Sequence, residues 1–164
     1  MTRKLIAGTS WKMNKTASET AHYLQTLLND ADFNRIEVFI LPPFTSLSTA
    51  ASLLHTSAIA FGAQNMHWED AGAWTGEVSA PMLVEAGCRY VELGHSERRT
   101  YFAETDDTVN LKVLAALRHY LTPICIGETR DEHDRGDAAP VLQRQIDTAL
   151  RGVQSEPPRR NPRL

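Results

Sequence analysis

Residues 91–99 read Val-Glu-Leu-Gly-His-Ser-Glu-Arg-Arg, and this stretch decides how the fold is interpreted. It begins like the end of a buried strand, and Gly94 then permits a sharp turn or a close approach of the backbone. Ser96 is a favourable N-cap residue and Glu97 suits the first turn of a helix, so a helix is predicted to begin here. His95 therefore stands between a strand and a helix, where parallel α/β folds carry their chemistry.

Two interpretations of His95 follow from this position. An imidazole beside a helix N-terminus has its cationic form disfavoured, so it stays neutral and donates a hydrogen bond to a carbonyl without being a strong acid. The simpler alternative is a histidine that only caps the helix. The motifs in the rest of the chain decide between the two.

Short apolar segments and amphipathic segments alternate along the chain, which predicts five βα units. The predicted strands are 4–7, 36–41, 58–63, 89–93 and 121–126. The first predicted helix is capped by Thr16 or Ser18. Further helices are predicted over 46–54, 81–86, part of 101–120 and 138–153, and residues 131–136 are interpreted as a charged turn. Because the strands are nearly all apolar, both faces of a parallel sheet are expected to be buried. An open doubly wound sheet and a barrel both satisfy this pattern, and five units do not close an eight-stranded barrel.

Composition narrows the class of protein. A chain of 164 residues is typical of one domain, and 42% apolar with 23% charged residues is typical of a globular protein. The formal charge of −3 argues against nucleic acid or an anionic membrane as a partner. The sequence has no apolar run long enough to cross a bilayer, and residues 1–4 do not lead into a signal peptide. We therefore expect a cytoplasmic protein.

The two ends of the chain differ in character. Residues 1–153 are predicted to form the domain, and the polar residues 154–164, rich in Pro and Arg, are predicted to be a disordered tail.

Cys88 and Cys125 lie in or beside predicted strands without metal-like spacing. Both are predicted to be reduced core thiols.

Polar residues follow the predicted strands at the point where each strand ends. Because the carboxyl ends of parallel strands meet at one edge, these side chains are expected to converge. The set consists of Lys12, Gln64, Asn65, His95, Glu97, Cys125 and Glu128. A lysine fixed there supplies a positive charge for a phosphate or an enolate oxygen, although a plain surface lysine is the simpler alternative. Glu97 is predicted either to hold this lysine or to be only a first-turn helix carboxylate.

Six motifs occur in a fixed order along the chain. They are Gly-Thr-Ser-Trp-Lys-Met-Asn at 8–14, Leu-Pro-Pro-Phe at 41–44, Gly-Ala-Gln-Asn at 62–65, Gly-Ala-Trp-Thr-Gly-Glu at 72–77, the stretch 91–99, and Cys-Ile-Gly-Glu at 125–128. Together they make residues 4–152 resemble the triosephosphate isomerase family. The resemblance implies an α/β fold of the TIM (β/α)8 barrel family, with about the first five βα units present in this chain.

The resemblance also implies a reaction and the residues that carry it. The reaction is the interconversion of a ketose phosphate and an aldose phosphate, dihydroxyacetone phosphate and D-glyceraldehyde 3-phosphate, through an enediolate. Lys12 and His95 are implied to be catalytic and substrate-binding, with His95 as the neutral electrophile for which this family is the standard example. Glu97 is implied to be catalytic beside the lysine, and Ser10 to contact substrate. A small phosphorylated sugar is the implied partner, with no metal and no organic cofactor.

The loop 66–79 contains two tryptophans within seven residues and glycines at 72 and 76. Exposed aromatic side chains on such a loop favour burial in a partner, although a loop folded back on its own domain is equally compatible. The loop resembles the family's dimer loop. This resemblance implies a homodimer formed through 66–79, with Thr75 at the tip and Trp74 and Glu77 beside it.

Three departures from the family pattern matter. Ser10 stands where the family usually has Asn, while Trp74 and the pair His67-Trp68 replace commoner residues in the dimer loop. These changes resemble a sister group that acts on four-carbon erythrulose phosphates, and a smaller residue at the site admits a longer sugar. An erythrulose-phosphate isomerase is therefore the alternative function.

The third departure is the position of Leu164, which falls where the family's sixth strand would begin. The family's catalytic glutamate has no counterpart in these residues, and Glu156 does not match its motif. This chain is therefore expected to hold the electrophilic half of the site and to be inactive alone. A truncated or frameshifted non-catalytic fragment, and an open α/β binding module, are the further alternatives.

Overall fold

Strands and helices alternate throughout the computed structural model, which describes residues 5–30, 36–124 and 126–154. The strands are β1 Ile6–Ser10, β2 Glu37–Leu41, β3 Ala60–Ala63, β4 Tyr90–Glu92 and β5 Thr122–Ile124. The helices are α1 Ala17–Asp30, α2 Leu47–Leu54 preceded by a 3-10 turn at Phe44–Ser46, α3 Ala80–Glu85, α4 Ser96–Tyr101, α5 Asp106–Arg118, α6 Arg130–Asp134 and α7 Ala138–Ala149. Cys125 and the predicted tail after Gln154 lie outside the described residues.

All five strands are parallel and lie in the sheet in the order in which they occur in the chain. Ser10 of β1 is paired with Leu41 of β2, and Glu92 of β4 is paired with Ile124 of β5. Because every strand runs the same way, all carboxyl ends lie at one edge of the sheet. We call this edge the carboxyl rim.

The sheet is curled. The side chains of Ser10 and Glu92 are hydrogen-bonded at 2.8 Å, although β2 and β3 lie between their strands. Three strand spacings would separate β1 from β4 by about 14 Å in a flat sheet. Ser10 and Glu92 therefore stand on the concave face, as inward residues do in a barrel.

The two faces of the sheet bury different side chains. On the convex face, Ile40, Ala63 and Val91 pack in one core with residues of the covering helices such as Leu24 and Leu83. On the concave face, a smaller cluster forms from Phe39, Leu41, Ala60 and Tyr90. The period-two alternation of strand side chains separates the clusters. The resulting arrangement is the helix-covered parallel sheet that the sequence predicts.

One glycine of the concave face is required by packing. A Cβ atom added at Gly8 would lie 2.0 Å from the ring of Phe39. That ring in turn stacks on Tyr90 with the centroids 4.5 Å apart. Glycine at this position lets the aromatic pair fill the concave face.

The structure also departs from the expectations for β1 and for residues 131–136. The strands were expected to be buried on both faces, but residues 6–9 of β1 are exposed, whereas all residues of β3 and β4 are buried. β1 is at the edge of the sheet and pairs with β2 alone within the described ranges, so it has neighbours on one side only. The expected turn at 131–136 instead contains α6, because Thr129 and Glu132 form a capping box that nucleates a helical turn.

Within the described residues, no helix combines the length and the apolar character needed to cross a membrane.

Candidate active site

A cavity of about 310 Å3 opens at the carboxyl rim. Its lining includes Ser10, Lys12, Gln64, Glu92, His95 and Glu97. A larger concavity of about 700 Å3 lies along α1, but it is lined by helix-surface residues and contains none of these strand-end side chains. We place the candidate site in the smaller cavity, because polar and charged groups from several strands converge there.

Lys12 and Glu97 form the central ion pair of the cavity. Nζ of Lys12 lies 2.6 Å from Oε1 of Glu97, and each side chain is about half exposed. The hydrogen-bonded Glu97 carboxylate raises the pKa of Lys12 above its ordinary value, and the charge of Glu92 acts in the same direction. The Lys12 ammonium lowers the pKa of Glu97. Both groups are therefore charged at neutral pH, and the carboxylate holds the ammonium in place.

The backbone at Lys12 is left-handed, with φ of 54°, which is uncommon for a residue other than glycine. The side chain of Gln64 supports this conformation from the end of β3. Its Nε2 donates to the carbonyl oxygen of Lys12 at 3.0 Å and to that of Leu41 at 2.8 Å. The residue was expected at the rim, and its bond to the lysine backbone explains how the ammonium is positioned.

His95 is the N-cap of α4, and the expectation that Ser96 takes this position is wrong. Nδ1 of His95 accepts a hydrogen bond from the backbone N–H of Glu97 at 3.1 Å. The imidazole therefore caps the helix in place of the hydroxyl group of Ser96. The distance of 3.6 Å from Nδ1 to Oε2 of Glu97 is too long for a competing hydrogen bond. A neutral imidazole whose Nδ1 accepts carries its proton on Nε2, which makes His95 a donor in the cavity.

Ser10 and Glu92 form a second polar pair in the cavity. Oγ of Ser10 donates to Oε2 of Glu92 at 2.8 Å, and Glu92 is 9% exposed. The sequence analysis did not single out Glu92. A carboxylate at an inward position of the otherwise apolar segment 90–93 was the available signal, because burying a charge is costly unless it serves a site.

A buried ion pair supports the turn before His95. Oε2 of Glu104 accepts the backbone N–H of Gly94 at 3.0 Å, and its Oε1 pairs with Nζ of Lys112. Lys112 also donates to Oδ1 of Asn65 at 2.8 Å. Asn65 therefore lies at the rim as expected, but its amide oxygen is bound to this network.

Glu128 also follows a strand, but the structure places it outside this cavity. Its carboxylate contacts Nδ1 of His133 in α6 at 3.3 Å. Among the described side chains, no group of three or more His, Cys, Asp or Glu residues is arranged to hold a metal ion.

The loop 66–79 is ordered by stacked rings. The imidazole of His67 contacts the rings of Trp68 and Trp74, with centroid distances of 4.2 and 4.3 Å, and the two indole rings lie 6.2 Å from each other. Trp74 is nevertheless 48% exposed, and Thr75 and Glu77 are exposed beside it. The loop is thus partly folded on its own domain and presents an aromatic residue at its tip.

These features together define a class of protein. A curled, parallel β/α sheet with a lysine, a histidine and carboxylates at the carboxyl rim is typical of a barrel-type α/β protein, in which functional side chains stand at this edge. The family model described as triosephosphate isomerase matches residues 4–160, and the chain belongs to that family.

Individual relatives agree with this assignment. The chain is 54% identical over 153 residues to the L-erythrulose-1-phosphate isomerase of Rhizobium etli, an alignment that covers 91% of this chain and 57% of the relative. It is 49% identical over 152 residues to the triosephosphate isomerase of Nostoc punctiforme, covering 90% of this chain and 62% of the relative. The chain therefore spans about six tenths of the length of the curated relatives it matches.

A solved structure gives the same result for the fold. The crystal structure of triosephosphate isomerase from Bartonella henselae is similar with a TM-score of 0.85 and 38% identity, covering 93% of this chain and 64% of that one. The predicted fold class is confirmed: the five parallel strands form half of a TIM barrel.

Proposed function

We propose that the protein is an isomerase that interconverts ketose and aldose phosphates through an enediolate. The observation that carries the proposal is the convergence of the Lys12 ammonium and the His95 imidazole in one cavity, with Glu97 in contact with Lys12 and hydrogen-bonded through its backbone to His95. Membership of the triosephosphate isomerase family supports it.

In the proposed reaction, each side chain has a distinct task. The Nε2–H of His95 donates to the substrate carbonyl oxygen and stabilises the negative charge that this oxygen gains in the enediolate. The Lys12 ammonium offsets the charge of the substrate, and Glu97 holds the ammonium in place. We assign none of the described residues to removal of the proton from carbon.

The first substrate candidate is a three-carbon pair, dihydroxyacetone phosphate and D-glyceraldehyde 3-phosphate. The second candidate is a four-carbon pair of erythrulose phosphates. Because C1 of erythrulose 1-phosphate carries the phosphate, the carbonyl moves from C2 to C3 through the enediolate, and for this substrate the product is another ketose phosphate. A specific observation favours the second, because Ser10 is small and is bonded to the buried carboxylate of Glu92. The similarity to the L-erythrulose-1-phosphate isomerase of Rhizobium etli supports it as well.

We further propose that the protein is a cytoplasmic homodimer whose subunits contact each other through the loop 66–79. The exposed rim of this loop, with Trp74, Thr75 and Glu77, supports the contact, since exposed aromatic side chains are enriched at interfaces. Cys88 is a free and buried thiol, which suits a reducing compartment.

The test is a coupled isomerisation assay of the full-length protein with dihydroxyacetone phosphate and L-erythrulose 1-phosphate. Lys12→Met and His95→Gln are each expected to lower kcat by about 100-fold or more, because each removes a group that stabilises developing charge. Lys15→Met is the matched control, since Lys15 lies over the rings of Trp11 and Tyr23 and does not line the cavity. A full-length protein that converts neither ketose phosphate contradicts the proposal.

A further inference from the structure

We infer that Glu92 is a specificity-determining residue: together with Ser10, its carboxylate binds the additional hydroxyl group of a four-carbon ketose phosphate at the end remote from the phosphate. The inference rests on the proposed function and names the side chains that choose between its two substrates. It assigns no step of the chemistry to Glu92.

The hydrogen-bonding capacity of Glu92 is only partly used. Oε2 accepts the hydroxyl of Ser10 at 2.8 Å, whereas no hydrogen bond from another described residue reaches Oε1. A carboxylate accepts about four hydrogen bonds and is costly to bury with fewer donors. Because Glu92 is 9% exposed and lines the cavity, a ligand hydroxyl there would supply a missing donor.

The charge of Glu92 also differs from that of Glu97. Glu97 is neutralised by direct contact with Lys12, while Glu92 acts on Lys12 only through its charge at longer range and forms no ion pair with a basic side chain among the described residues. An unpaired carboxylate repels a phosphate dianion and attracts a hydroxyl donor. The cavity therefore favours a ligand whose hydroxyl-bearing end faces Ser10 and Glu92 and whose phosphate points away from them.

Ligand chemistry makes this contact selective. In a three-carbon ketose phosphate the free hydroxyl is on the reacting carbon, whereas a four-carbon ketose phosphate has another hydroxyl on the next carbon. A site built to bind a hydroxyl discriminates strongly against a ligand that lacks it, because its polar groups are then left unpaired. Ser10 donates to Glu92, so the lone pairs of its oxygen also remain available to the additional hydroxyl.

The experiment compares Glu92→Leu and the isosteric Glu92→Gln with the full-length parent protein. Glu92→Leu is expected to lower kcat/KM for L-erythrulose 1-phosphate by about 10- to 100-fold and that for dihydroxyacetone phosphate by less than about threefold. Glu92→Gln keeps one acceptor oxygen and the shape of the side chain. Its kcat/KM for L-erythrulose 1-phosphate is therefore expected to lie between those of the parent and of Glu92→Leu. Glu85→Gln, an exposed carboxylate of α3 outside the cavity, is the matched control and is expected to change neither value.

Binding of polyol phosphates provides a readout that does not depend on turnover. Erythritol 4-phosphate and glycerol 1-phosphate carry no carbonyl group and differ by one hydroxyl-bearing carbon. The parent protein is expected to bind the four-carbon compound about tenfold more tightly in calorimetry, and Glu92→Leu is expected to remove this preference. If Glu92→Leu does not fold, Glu92→Gln is expected to reduce the preference in the same direction.

The outcomes separate the two proposals. Equal affinity of the parent for both polyol phosphates, or an unchanged preference in the folded Glu92 variants, overturns the role of Glu92 even if isomerisation is observed. Absence of isomerisation of both ketose phosphates contradicts the proposed reaction, while the polyol affinities still decide the role of Glu92.

Discussion

Nζ of Lys12 lies 2.6 Å from Oε1 of Glu97, although 85 residues separate the two in the chain. The lysine follows β1, and the glutamate lies in α4 after β4. Their contact depends on the curl of the sheet, which brings the ends of strands β1 and β4 together. The ion pair between Lys12 and Glu97 therefore forms only when strands β1 to β4 have paired.

Replacing Glu97 by Gln is expected to lower the pKa of Lys12, because the hydrogen-bonded carboxylate is what raises it above the ordinary value of 10.5. In the parent, the raised pKa makes the lysine's stabilising contribution complete below pH 10.5 and lost as pH rises through the folded pKa. The lowered pKa of Glu97 makes its contribution present above pH 4.5 and lost as pH falls through the folded pKa. NMR titration of the lysine side chains measures the shift, and an unchanged Lys12 pKa in the variant would contradict the contact.

His95 and His55 are expected to hold opposite neutral tautomers. Nδ1 of His95 accepts from a backbone N–H, which places the proton on Nε2. Nδ1 of His55 lies 2.8 Å from the carbonyl oxygen of Ser52, which can only accept, so His55 carries its proton on Nδ1. Long-range proton–nitrogen NMR spectra distinguish the two, with His55 as the internal control. A protonated Nδ1 in neutral His95 would remove the proposed donor from the cavity.

Glu104→Gln is expected to reduce the free energy of unfolding by about 3–5 kcal/mol, because it leaves the buried Lys112 ammonium without its anion. Asp70→Asn is the control, since it weakens surface contacts of Asp70 with Arg118 and His119 and is expected to cost about 1 kcal/mol or less. Urea unfolding of the full-length protein measures both. Equal effects of the two substitutions would show that the buried network contributes no more than a surface pair.

Cys88 is expected to resist alkylation in the folded protein. Burial raises the pKa of its thiol from the ordinary 9.0 to about 12. The thiolate is the nucleophile, so iodoacetamide at pH 8 should modify this residue only after unfolding. Because the folded pKa is the higher one, the thiol's contribution to stability is complete below pH 9 and is lost as pH rises towards 12. Peptide mass spectrometry follows labelling at Cys88, and Cys88→Ala should remove its part of the alkaline loss of stability.

Thr75→Arg is expected to shift the proposed dimer towards monomers. It places a charged side chain at the exposed tip of the loop beside Trp74, where a subunit contact would have to desolvate it. Thr56→Arg, at an exposed position after α2, introduces the same change elsewhere and should leave the oligomeric state unchanged. Sedimentation velocity of both variants makes the comparison, and an unaffected Thr75→Arg dimer would exclude this loop as the contact.

Much of the architecture was accessible from the sequence, because parallel strands end at one edge whatever the curvature of the sheet. That rule alone predicts that Lys12, Gln64 and His95 lie at the same rim. The location of the N-cap was less accessible. His95 and Ser96 both have side chains that accept hydrogen bonds, and only the backbone conformation decides which of them reaches the N–H of Glu97.

Features that depend on curvature could not be predicted in this way. The bond between Ser10 and Glu92 joins residues 82 positions apart on strands that are not neighbours. The buried pair of Glu104 and Lys112 likewise depends on how α5 packs against the rim. Alternation places Glu92 on the concave face, but it does not say which side chain lies opposite.

The left-handed backbone of Lys12 costs about 1–3 kcal/mol for a residue with a side chain, and it persists only because the surroundings impose it. The amide of Gln64, which belongs to another βα unit, supplies part of that restraint through the lysine carbonyl. The position of the Lys12 ammonium therefore depends partly on an uncharged residue. A change at position 64 would relocate a positive charge without altering the charge of the protein.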